Sequence, residues 1–169
     1  MLRLTLSIAA GMLAVAAPAA AQAALGPDAA ACRTGAGEPA LLVDVRGFKS
    51  RTGRLRVQVY GSNPADFLAS GKKLKRIDVP VTPSGPMQVC VAVPKAGTYA
   101  IAVRHDINGN NKSGDWNDGG GFSRNPKLSL LKLKPKHQQV AIPVGNGVKP
   151  ISVTLNYRNG LAIGPVDRS

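Results

Sequence analysis

Apolar residues recur at every second position in short runs from Leu41 to Tyr157, and Gly, Pro and Asn separate the runs. A period of two sets alternate side chains on opposite faces of an extended chain, so each run reads as a strand with one greasy face. Leu41, Val43 and Val45 share a face; so do Leu55, Val57 and Val59, with Arg54, Arg56 and Gln58 opposite them. Further runs carry Ile77 with Val79 and Val81, Val89 with Val91 and Val93, and Tyr99 with Ile101 and Val103. Val140, Ile142 and Val144 make another, and Ile151, Val153, Leu155 and Tyr157 the last. No stretch keeps a helical period over a useful length. The pattern predicts an all-β chain: a single immunoglobulin-like or transthyretin-like β-sandwich of about seven strands.

Local signals refine this. The short basic turn from Gly47 to Gly53 predicts a hairpin between the first two strands. Pro80 assigns the third strand to an edge or a bulge. Residues 127–136 alternate leucine with lysine, which predicts an exposed edge strand whose lysines discourage pairing with other chains. By parity Cys90 faces outward with Gln88 and Ala92.

The start of the chain has another character. Arg3 precedes an apolar run from Leu4 to Val15, and Pro18 to Ala24 is nearly all alanine. That order of charged, apolar and small residues is an export signal, with Ala-x-Ala cleavage patterns ending at Ala21 and Ala23. The apolar run falls short of the ~20 residues that a spanning helix needs. The expected organisation is a signal peptide at 1–23, an irregular lead at 24–40, the β-domain at 41–158 and a tail at 159–169. No transmembrane segment is expected in the mature chain, and the expected location is periplasmic or secreted. An oxidising compartment turns Cys32 and Cys90 into one disulfide, strapping the lead over the outer face of the sheet. The formal charge is +13. Export argues against nucleic acid as the partner for that charge. An acidic envelope polymer or glycan is the alternative partner, met by Arg54 and Arg56 on their shared face, unless the charge is only a solvated surface.

The segment from His105 to Asp118 concentrates three of the chain's nine acidic residues. Asp106, Asn108 and Asn110 have the spacing that opens a calcium loop, with Asp115 and Asp118 placed to close the shell. The sixth position holds Asn111 instead of glycine, the twelfth holds Asn117 instead of glutamate, and no helices flank the loop, so it is not an EF-hand. Asp and Asn side chains also hold turns through nearby backbone amides without any metal. His105, Asp106 and Ser123 could be imagined as a hydrolytic trio, but neighbours on a strand point to opposite faces. His105 follows the inward set, so capping the core and bonding loop backbone is its expected work. Trp116 is the only tryptophan; it either stacks on a ligand or covers the end of the domain. Phe122 is assigned to the core.

Several of these motifs together resemble a known family. They are Gly53-Arg54-Leu55-Arg56-Val57 with Tyr60, then Phe67-Leu68, then Val93-Pro94-Lys95-Ala96-Gly97-Thr98-Tyr99-Ala100-Ile101-Ala102-Val103. His105-Asp106-Ile107-Asn108-Gly109-Asn110 and Gly121-Phe122-Ser123-Arg124-Asn125 follow in order. From about Leu41 to Tyr157 the chain resembles secreted bacterial proteins grouped as domain of unknown function 2141. The resemblance implies an export signal and a β-sandwich, and it implies no activity. The chain departs from the family at Asp118-Gly119-Gly120, where members carry a longer stretch with Pro and Glu. The sequence therefore leads to an exported, non-enzymatic module with a calcium-stabilised loop as its candidate site. The alternative is an accessory domain that binds an acidic polymer or glycan through Arg54, Arg56 and Trp116. A hydrolase comes third.

Overall fold

The computed structural model describes residues 23–112 and 114–166. The leader falls outside these residues except for Ala23. The alternating runs become strands with two exceptions: 127–136 forms none, and the last run is divided between two.

Two sheets carry the chain. The first orders β4 (Met87–Ala92), β1 (Ala40–Arg46) and β8 (Val148–Thr154), with β1 antiparallel to β4 and parallel to β8. The second orders β3 (Lys75–Pro80), β2 (Arg54–Tyr60), β5 (Gly97–Asp106) and β6 (Gly119–Phe122), and β7 (Ala141–Val144) also pairs with β5. A small hairpin, β9 (Tyr157–Asn159) with β10 (Ala162–Gly164), turns through the segment read as a tail. The inward faces meet in one core. Leu41, Val43, Met87, Val89 and Val153 come from the first sheet; Leu55, Val57, Ile77, Ile101, Val103 and Ile142 come from the second. Burying such side chains contributes about 1.5–3 kcal/mol each. On the opposite face of β2 and β5, Tyr60, Ala100, Ala102 and Val140 form a second cluster with Phe67, Leu68 and Phe122. The central part of β5 is thus covered on both faces.

Pro80 ends an edge strand, as its missing N–H requires. The disulfide between Cys32 and Cys90 is formed. Cys90 is fully buried, yet it lies outside the core cluster and beneath the lead. The lead is tied down along its length. Leu25 exchanges backbone hydrogen bonds with Gln88 and Cys90, and a 3-10 turn spans Ala29–Cys32. Asp28 accepts from the Ala92 amide and pairs with Lys75.

Three expectations are corrected. β1 and β2 do not form a hairpin, because residues 47–53 cross from one sheet to the other. Alternation marks which face is greasy and says nothing of which strand lies alongside. Residues 127–136 form no edge strand; Ser129 and Lys132 close a local turn instead, and Leu128 and Leu130 lean half-buried. The last run is likewise not one strand, since β8 stops at Thr154 and β9 starts at Tyr157. Gly120 takes up the gap, exchanging both backbone hydrogen bonds with Asn156 at 2.9 and 2.8 Å.

Candidate functional site

The end of β5 positions the Asp/Asn loop. Asp106 is almost fully buried, and its Oδ2 accepts from the Asn111 amide at 2.9 Å. Asn111 takes a left-handed φ of 63°, so asparagine does the turning that glycine does at the sixth place of a calcium loop. Asn108 Oδ1 accepts from the Asn110 amide, and Asn110 Oδ1 from the Lys112 amide. The Asn108 and Asn110 amides both donate to Asp115 Oδ2, at 2.9 and 2.6 Å. These two hydrogen bonds hold the Asp115 carboxyl below the usual carboxylate range. Asp118 is spent on other partners: its Oδ2 accepts from Arg104 at 2.9 Å and its Oδ1 from the Ile107 amide at 3.2 Å. Four of the five expected ligands thus form one hydrogen-bonded loop, and Asp118 fastens that loop to β5.

The remaining polar candidates separate. His105 is fully buried, with Nε2 2.9 Å from the Thr52 carbonyl and Nδ1 2.6 Å from the Tyr157 hydroxyl. A carbonyl only accepts, so Nε2 carries the proton and Nδ1 accepts from tyrosine. Burial pushes the His105 pKa down, and this outweighs the Thr52 carbonyl and the nearby Asp118 and Asp106 charges that raise it. Ser123 is also fully buried; it donates to the Val140 carbonyl and accepts from the Ile101 amide. Serine and histidine therefore hold different parts of the backbone and do not meet. Arg56 corrects the cationic-face expectation. Only 7% exposed, it donates to Asp78 at 2.8 Å and to Asn111 at 2.9 Å. Burial pushes the Asp78 carboxyl up, but hydrogen bonds from Arg76 and Arg56 outweigh it and hold the group low. Arg54 alone of the pair stays exposed. Phe122 is half-buried against the second cluster and is not part of the main core.

Beside the loop lies a cleft of about 510 Å³, lined mostly by apolar atoms. Its floor is the outward face of β2, β5 and β6, at Gln58, Ala102, Arg104, Gly120 and Phe122. Leu128, Leu130 and Leu133 wall it, and Trp116 and Arg158 line it as well. Trp116 is 68% exposed, with the Arg158 guanidinium stacked 3.2 Å from its ring centroid. That settles its fold role: Trp116 does not seal the end of the core.

A model of the family described as an uncharacterized protein conserved in bacteria (DUF2141) matches residues 43–152. The chain belongs to that family. No curated protein and no solved structure matches the chain. The DUF2141 match spans the Asp/Asn loop, β6 and the leucine wall of the cleft, so the whole candidate site except Asn156 and the hairpin that carries Arg158 lies inside it. Within this DUF2141 chain, reading the sequence missed the cleft. Two signals pointed to it: three successive glycines, Gly119 to Gly121, which leave a strand without side chains, and leucines at 128, 130 and 133. The leucine signal was legible only as alternation, which fits an edge strand equally well.

Proposed function

We propose that the chain is an exported, non-enzymatic binding module of immunoglobulin-like or transthyretin-like sandwich build, made with a signal peptide at 1–23, whose ligand sits in the cleft beside Trp116. The shared core of two sheets supports the sandwich reading, and a formed disulfide suits an extracytoplasmic compartment. The cleft carries the functional reading: an apolar concave surface with a few polar groups at its margin is the usual form of a ligand site. A solvent-exposed tryptophan at such a margin is a ready contact for a ligand. The acidic polymer or glycan reading passes from Arg54 and Arg56 to Arg158 and Lys134, the cations that line the cleft. The test is chemical-shift mapping of isotope-labelled protein against a panel of small sugars, amphiphiles and peptides. Perturbations gathered on Ala102, Trp116, Gly120 and Phe122 are expected. A panel that perturbs only other surfaces sinks the reading.

A second reading places calcium in the loop, and one observation favours it. Asp106 Oδ1 is buried with no hydrogen-bond partner among the described residues, beside side chains of the type that bind a hard cation. A ligand of the folded state raises its melting temperature, so millimolar calcium is expected to raise it measurably, and magnesium less. An unchanged melting curve removes calcium from the loop.

A further inference from the structure

The cleft has chemistry enough to narrow its ligand. Its floor is open because of one residue. Cβ atoms added to Gly119 and Gly121 would fall 2.3 Å from the Tyr157 ring and 2.6 Å from the Thr154 carbonyl, toward the interior. Strand alternation turns Gly120 the other way, and a Cβ there meets only the Val103 carbonyl, at an ordinary 3.7 Å. Glycine at 120 thus leaves the outer face of β6 bare, with Arg104 across from it on β5 and Phe122 two residues on along β6.

Four polar side chains of the lining are committed to partners within the fold. Asp118 is paired with Arg104, Asp115 takes the amides of Asn108 and Asn110, and Asn156 donates to Gly120 and Thr154 carbonyls. A sugar, which needs many unspent hydrogen-bond partners, finds few here. An aliphatic chain needs none. Charge selects the other end of the ligand. Arg104 neutralises Asp118, while Asp115 keeps its charge; against that single anion the cleft sets two cations, Arg158, stacked on Trp116, and Lys134, which makes no ion pair among the described residues, so its lining is net positive. Next to them Leu131 and Leu133 are 96% and 49% exposed, so apolar surface continues from the cleft toward solvent. Patches of this kind on a folded chain mark binding surfaces.

We infer that the cleft binds a single-chain anionic amphiphile, its aliphatic chain lying over Gly120 between Phe122 and the leucine wall and its anionic head meeting Arg158 and Lys134. This rests on the cleft being the ligand site and names the class of ligand.

Trp116 is the only tryptophan, so its fluorescence reports on the cleft directly. The probes are octanoate, decanoate and dodecanoate below their micelle concentrations, with decyltrimethylammonium as the control of opposite charge. Saturable changes are expected with the carboxylates, tightening about fourfold per added methylene, the equivalent of ~0.8 kcal/mol. Gly120→Leu fills the floor without touching the core and is expected to weaken decanoate by about tenfold or more while its melting temperature holds. Lys134→Glu keeps the cleft open and is expected to weaken decanoate but not decyltrimethylammonium. No change with decanoate overturns the inference, as does an equal response to the cationic probe or undiminished binding by a folded Gly120→Leu. Sugars that perturb the cleft where decanoate does not overturn the ligand class and leave the cleft reading standing. Phosphatidylglycerol vesicles, whose lipid carries two chains, test the single-chain commitment. Co-sedimentation with a Trp116 shift, reversed by decanoate, overturns that commitment; decanoate binding without co-sedimentation supports it.

Discussion

Gly53 stands where the chain passes from one sheet to the other, at a φ of +78°. A Cβ there would lie 2.0 Å from the Asp106 carbonyl oxygen and 2.5 Å from that of Ile107. Both constraints demand glycine, one of backbone angle and one of space. Gly53→Ala is therefore expected to destabilise the fold by roughly 3 kcal/mol, read as a lower urea midpoint; an unchanged midpoint would refute the crowding. His105 makes the second argument at this scale. Its folded pKa lies below its unfolded value of about 6.5, so the unfolded state binds more protons between the two. Its share of stability is full above the unfolded value and declines as pH falls toward the folded pKa. Urea midpoints should drop from pH 7.5 to pH 5.5, and the drop should shrink in a folded His105→Gln variant. A midpoint that rises on acidification would reverse the assigned protonation.

Between elements, β6 and the turn after it join the two sheets. Gly120 reaches Asn156, and Asn125, at a left-handed φ of 45°, reaches β8. The Asn125 side chain donates to the Ser152 carbonyl at 3.1 Å and accepts from the Thr154 amide at 2.8 Å, imitating a neighbouring strand. It blunts the open edge of β8, which helps keep other chains from pairing there. Asn125→Ala releases both groups to water and should cost about 1 kcal/mol. Hydrogen exchange should quicken at Thr154 and stay slow in β1; equal rates in variant and parent would deny Asn125 this role. The loop and the strand were legible in different measure. Asn111 in a left-handed turn follows from the spacing of Asp106, Asn108 and Asn110, since short polar side chains tolerate that angle. Residues 127–136 misled, because leucines at a period of two satisfy a strand and a wall over a neighbouring sheet alike.

Across the molecule, the link from Cys32 to Cys90 spans a sequence separation of 58 and fixes the lead to β4. A covalent loop of that length restricts the unfolded chain by about 4 kcal/mol at most. A Cys32→Ser, Cys90→Ser double variant should keep a β-type spectrum and unfold at a markedly lower guanidinium concentration. Coincident transitions would mean that Asp28, Leu25 and the core hold the lead without the bond. The sequence alone determined strands β1 to β5 with the greasy face of each, the cysteine pair and the inward His105, because alternation and covalent chemistry act between near neighbours or between the only two groups of their kind. Tertiary structure alone decided that β1 lies beside β8 and not β2, since backbone hydrogen bonds carry no address in the side chains. It also decided that Arg56 is buried by Asp78 and Asn111, 22 and 55 positions away. The cleft was decided there too, because it arises where bare glycine in one segment meets leucine in another, and only folding brings them to one surface.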